Sequence, residues 1–117
     1  MEGHRDLLVW QKSMDLVVKI YEVTSQFPKS EIYGLSGQMQ RAAVSVPSNI
    51  AEGHGIKQTG SYLRYLSIAC GSLSELETQI EIASRLGYLD SAEELLLAAN
   101  EIGRMLSGLR RSLQPQT

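Results

Sequence analysis

Residues 61–86, SYLRYLSIACGSLSELETQIEIASRL, decide the fold. Within them Tyr62, Leu66, Ala69, Leu73, Leu76, Ile80 and Ala83 recur at alternating steps of four and three, the spacing that brings a side chain back to one face of an α-helix at each turn. No strand alternation competes with this seam. Ser61 is placed to cap the helix at its start, and Gly87 to take the left-handed position after its end at Leu86. A second row on the same helix, Tyr65, Ile68, Ser72, Glu75, Gln79 and Ile82, is apolar at its ends and polar in the middle. That is the composition of a surface that meets a partner, so these six residues are the candidate oligomer interface.

Upstream, Leu35, Met39, Ala42, Ala43, Val46, Ile50 and Gly53 share a face, which predicts a second helix over residues 32–53. Pro47 lies inside it, lacks the N–H for one ladder bond and crowds the carbonyl of Ala43, so a kink or a break is expected there. Small neighbours, Ala42, Ala43, Ser45 and Ser48, allow close approach of another helix. Gly53 or Gly55 is the expected terminator. Further upstream, the interleaved rows Trp10, Met14, Val17, Tyr21, Thr24 and Val9, Ser13, Leu16, Ile20, Val23, Phe27 predict a helix over 7–27 with a wide buried face, stopped by Pro28. Downstream, Leu95, Ala99, Ile102, Leu106, Leu109 and Leu113 predict a fourth helix over 91–113. Asp90 and Glu93 stand at capping-box spacing at its start, and Pro115 is expected to end it. Four amphipathic helices on short connections predict one all-α domain over 1–117, an antiparallel up-down-up-down four-helix bundle with its second helix kinked at Pro47.

Composition narrows the chemistry. An apolar share of 43% with 21% charged residues fits a chain that folds around a core and does not fit disorder. Cys70 is the single cysteine, so neither an intrachain disulfide nor a thiolate metal cage can form. The acid-bearing N-terminus has no signal-like stretch and no apolar run approaches a membrane span, so a cytoplasmic location without membrane contact is expected. His4 and His54 are the only imidazoles, a thin supply for a nucleophile and base pair, and Cys70 reads most simply as a small packed helix residue. Glu77 and Glu81 face one way while Glu75 turns to another side, and no Glu-x-x-His pair supports a metal-carboxylate bundle. The loop Glu52-Gly53-His54-Gly55 lacks the spacing and the preceding strand of a phosphate loop. Neither a cofactor, a metal nor an enzymatic activity is expected.

Charge is unevenly distributed along the chain. Residues 71–101 carry seven carboxylates against Arg85 alone, whereas residues 102–117 carry Arg104, Arg110 and Arg111 and no acid. A smaller positive set, Arg41, Lys57 and Arg64, lies between residues 35 and 70, read as one rim. These six are the candidate nucleic-acid-binding residues, the rim of Arg41, Lys57 and Arg64 first and Arg104, Arg110 and Arg111 second, since a ring of subunits would repeat such a patch although the chain's net charge is −2. The plain alternative for the last three is complementing the helix dipole at its C-terminus.

Several blocks together resemble a known family. Asp6-Leu7-Leu8-Val9-Trp10-Gln11-Lys12, Phe27-Pro28, Tyr33-Gly34-Leu35, the long run Gln38 to Gly53, Gly71 to Gln79 and Leu86-Gly87-Tyr88-Leu89 are similar to bacterial four-helix bundle proteins related to the ribosomal-RNA intervening-sequence proteins. The resemblance covers nearly the whole chain. It implies an antiparallel bundle assembled as a homopentamer, without established enzymatic activity. It also implies RNA, DNA or a nucleic-acid enzyme as partner, because a relative, the accessory protein of diversity-generating retroelements, looks like a basic barrel binding nucleic acid and a reverse transcriptase. The chain departs from the family pattern at Gln40 and Ile56, where arginines are the family's habit. Asn49 and Glu52 of the matching block are expected to satisfy backbone groups freed by Pro47 or polar atoms across an interface. Two functions follow: an oligomeric accessory or scaffold touching structured RNA or a nucleic-acid enzyme, or a purely protein-binding module presenting its acidic third and fourth helices.

Overall fold

The seam from Tyr62 to Ala83 is the spine of the molecule. In the computed structural model, which describes residues 3–114, Leu66, Ala69, Leu73, Leu76, Ile80 and Ala83 are all buried on one 27-residue helix. The elements are α1 (Leu8–Thr24), α2 (Leu35–Ile56), α3 (Thr59–Arg85) and α4 (Glu93–Leu113), with short 3₁₀ turns at His4–Asp6 and Lys29–Glu31. No strand occurs among the described residues. At 1.5 Å per residue α3 is about 40 Å long, and it sets the 48 Å long axis of the bundle. Ile20 of α1, Met39 and Ile50 of α2, Leu66, Leu76 and Ile80 of α3, and Ile102 and Leu106 of α4 meet in one core closed to solvent. Neighbours run in opposite directions, because the residues that touch count up on one helix and down on the next. Ser45 and Gly53 of α2 meet Ser72 and Tyr62 of α3, and Lys12 and Lys19 of α1 meet Glu101 and Glu94 of α4.

Helix ends differ from the expected ones for local reasons. α1 stops at Thr24, before Phe27, because the N–H groups of Gln26 and Phe27 donate to carbonyls three residues back and the Thr24 and Ser25 hydroxyls donate to carbonyls of the last turn. α2 begins at Leu35, three residues after Ile32, where the Glu31 carboxylate accepts from the Leu35 N–H at 3.0 Å. Neither Gly53 nor Gly55 ends it. The helix continues to Ile56, and Lys57 takes the left-handed conformation at φ 63°. α3 starts two residues before Ser61, and its cap is Gln58, whose Oε1 accepts from the Ser61 N–H at 2.6 Å. At the start of α4 the Asp90–Glu93 capping box does not form, and the Ser91 hydroxyl accepts from the Glu93 N–H at 3.2 Å. Gly87 behaves as read. It lies at φ 80°, its N–H donates to Ser84 and that of Tyr88 to Ala83, the paired bonds of a Schellman turn.

Pro47 does not break α2, which runs through it with the ring buried in the core side of the helix. Asn49 does not reach the carbonyl of Ala43 that Pro47 leaves free; its Nδ2 donates to the Ser45 carbonyl at 2.8 Å and lies 2.9 Å from the Ser45 hydroxyl. The wide face expected for α1 is narrower. Val9, Ser13, Leu16 and Ile20 are buried, whereas Met14 and Tyr21 of the other row are 40% and 47% exposed.

Candidate nucleic-acid interface

The six basic residues fall into two groups, one assembled and one dispersed. Arg104, Arg110 and Arg111 project from the last three turns of α4 into an open groove of about 660 Å³ between α4 and α3. Residues 104 and 111 are seven apart and share a face, about 10 Å apart along the axis. Cys70, Ser74 and Glu77 of α3 form the opposite wall. Arg110 is the most enclosed of the three arginines. Its Nη1 donates to the Cys70 sulfur at 3.6 Å, and its Nε is buried with no hydrogen-bond partner among the described residues. Cys70 lies level with Arg110 and Leu73 level with Gly103, so Glu77, one turn beyond Leu73, stands at the end of the groove remote from Arg110 and Arg111.

The other set does not form one rim within the chain. Arg41 is exposed and folds its guanidinium over Gly37 of its own helix. Lys57 is sixteen residues further along, about 24 Å by helical rise. Lys57 instead borders a small depression at the opposite end of α2, with His54, Gln58 and Tyr62, and Arg64 lies exposed on the next turn of α3. There the His54 Nδ1 and the Tyr62 hydroxyl are 3.3 Å apart, and burial pushes the Tyr62 phenol above its ordinary pKa.

The candidate oligomer row also divides. Tyr65, Ser72 and Gln79 turn toward α2 inside the subunit. The Tyr65 Cβ is 2.8 Å from where a Cβ on Gly53 would stand, the Ser72 and Ser45 hydroxyls bond at 2.7 Å, and Gln79 is 4% exposed. Ile68, Glu75 and Ile82, one position round the helix, remain outside, the two isoleucines 43% and 44% exposed. Of the polar middle of the row, the Ser72 hydroxyl is satisfied by helix packing within the chain, whereas the buried Gln79 amide donates to Glu75 of its own helix at 3.3 Å. A period of seven could not separate the two half-rows, because they lie only about 60° apart on the helix.

Cys70 and His54 do not meet. Cys70 lies in the α3–α4 groove and His54 beside Tyr62, eight residues away along α3, about 12 Å by helical rise. Among the described residues no group of three His, Cys, Asp or Glu side chains is placed to hold a metal ion, and no helix is long and apolar enough to cross a membrane.

A sequence model described as 23S rRNA-intervening sequence protein matches residues 5–108. The chain belongs to this family. Among solved structures, a protein of unknown function from the S23 ribosomal protein family of Bacteroides thetaiotaomicron is similar, with 22% identity, a TM-score of 0.82, and coverage of 89% of this chain and 96% of that one. At that identity the likeness carries the fold. No curated protein matches. The family description and this structural relative name no enzymatic activity.

Proposed function

We propose that this protein is a non-enzymatic, self-associating helical bundle that serves as an accessory or scaffold contacting structured RNA or a nucleic-acid enzyme. The observation that carries the reading is the convergence of Arg104, Arg110 and Arg111 on one open groove. Three guanidinium groups against a single carboxylate give that surface a positive field that the chain's net charge of −2 conceals. The family description, which refers to an intervening sequence of ribosomal RNA, makes RNA the natural first ligand to test. The separation of Cys70 from His54 supports a non-catalytic role, since a nucleophile needs a base within hydrogen-bond reach.

Fluorescence anisotropy of the native protein against a structured RNA across a salt series tests this reading. Binding that weakens steeply as salt rises is the expected result, because each neutralised phosphate releases counterions. No binding at low salt overturns it. A second reading, a protein-binding module, is favoured by the shallow α3–α4 depression where Glu77, Glu81, Thr78 and Arg85 surround Ile82 and Leu96. An apolar floor with a polar rim, here two carboxylates to one guanidinium, is the anatomy of a protein contact. Under that reading Glu77→Lys with Glu81→Lys releases a bound protein whose retention survives nuclease treatment.

A further inference from the structure

The α3–α4 groove carries more information than its charge. Its donors are three guanidinium groups, the Ser74 and Ser107 hydroxyls and the Asn100 amide, and no aromatic side chain lines it. Without an aromatic ring the groove lacks the principal platform on which the bases of a single strand stack. Its one large apolar side chain is Leu73, too little for the dry centre of a protein contact. Arg104 and Arg111, about 10 Å apart along α4, are far enough apart to take different phosphates of one strand. Between them the Arg110 guanidinium is held by Cys70. An oxyanion in the groove would meet a guanidinium already held in place.

We infer that this groove is a seat for a phosphodiester backbone in duplex geometry, in which Arg104, Arg110 and Arg111 take neighbouring phosphates and no base is read. This deepens the RNA-contact reading above and rests on it. Contacts of this kind position a nucleic acid without selecting its sequence. Duplex RNA and duplex DNA present the same phosphodiester chemistry, and direct comparison of the two distinguishes the sources.

Cys70, the only cysteine, lies in the groove and reports its occupancy without any substitution. The experiment measures alkylation of Cys70 by a neutral maleimide in the native protein, alone and with a mixed-sequence RNA duplex, the matching DNA duplex or a single-stranded RNA. At a duplex concentration ten times Kd, labelling is expected to slow about tenfold, following the fraction of empty grooves. Scrambling the duplex sequence should leave Kd unchanged. Arg104→Ala and Arg111→Ala should each lower the slope of log K against log salt by about 1, whereas Arg41→Ala with Arg64→Ala should leave it unchanged. Equal protection by both duplexes assigns the seat to backbone charge, and protection by RNA alone assigns it to the RNA form of the backbone; either supports the proposal. RNA that binds without slowing Cys70 labelling and without sensitivity to Arg104 and Arg111 overturns the groove while leaving the RNA-contact reading standing. Tighter binding of the single strand than of either duplex overturns the duplex geometry. Failure of every nucleic acid to bind at low salt overturns both readings together.

Discussion

Gly53 and Lys57, four residues apart at the end of α2, exchange the roles their residue types suggest. Gly53 sits inside the helix because α3 crosses there: a Cβ would stand 2.8 Å from the Tyr65 Cβ and 2.9 Å from the Tyr62 ring. Neither contact is with the far end of a flexible chain, so Gly53→Ala is expected to destabilise the fold by about 2 kcal/mol, the range for overpacking a tight contact. Urea denaturation of the variant checks this, and a midpoint equal to that of the native protein counts against the close approach. Lys57 takes the left-handed conformation that glycine adopts without strain, so Lys57→Gly should stabilise by about 1 kcal/mol while deleting one candidate phosphate contact. A glycine inside a helical pattern and a glycine that ends one look alike in sequence. What separates Gly53 from Gly87 is the neighbour across the interface, and sequence spacing does not show it.

At the scale of elements, the interiors of the helices were legible and the ends were not. The α3 and α4 seams appear as buried rows because a period near 3.6 averages over many turns, so one irregular position cannot hide it. An end depends on one or two hydrogen bonds, as with Gln58 capping α3 where Ser61 was expected. The basic set on α4 was legible for the same reason as the seams, since Arg104 and Arg111 lie on one helix. Arg41, Lys57 and Arg64 were not, because their grouping depended on how two helices stack.

The bond that ties two connections together belongs to this scale as well. The Tyr88 hydroxyl, after α3, donates to Glu31 Oε2 at 2.9 Å, before α2, while the Leu35 N–H donates to the other oxygen. Those two donors, the Leu35 N–H foremost, hold the Glu31 carboxyl below its ordinary pKa, and the same hydrogen bond raises that of the Tyr88 phenol. For Glu31 the folded value is the lower one, so its contribution is complete above the ordinary carboxyl pKa of about 4.3 and is lost as pH falls through the folded value. For Tyr88 the sign reverses: the contribution is complete below the ordinary phenol pKa of about 10 and is lost as pH rises through the folded one. Thermal melts against pH should therefore show that Glu31→Gln removes its share of the acid limb. Tyr88→Phe should spare most of that limb, since Leu35 is the larger cause, and flatten part of the alkaline limb, with Tyr62 keeping its own share. A Tyr88→Phe variant that abolishes the acid limb would contradict this ordering.

For the whole molecule, the remaining question is what covers the outer face of α3. Ile68 and Ile82 are exposed two turns either side of Glu75, with Leu86 55% exposed at the helix end. An isolated exposed isoleucine is ordinary, but a repeated pair on one face, flanking a charge, fits a self-association surface. Tyr65, Ser72 and Gln79 now belong to the interior, so the expected seam is narrower than the row read from sequence. Because Ile68 and Ile82 make no part of the core, replacing both with glutamate should leave the helix content and the urea midpoint nearly unchanged. Light scattering should then find the native protein at a multiple of 12.9 kDa and the double variant at 12.9 kDa. Assembly and phosphate contact would also be linked: each copy brings one α3–α4 groove, so a multimer's salt dependence should exceed the slope of about −3 expected from three phosphates in one groove. The monomeric variant should fall back to that single-groove slope. If the variant remains multimeric, the outer face of α3 is not the seam; if it becomes monomeric with its salt slope intact, the grooves act singly and self-association serves another purpose.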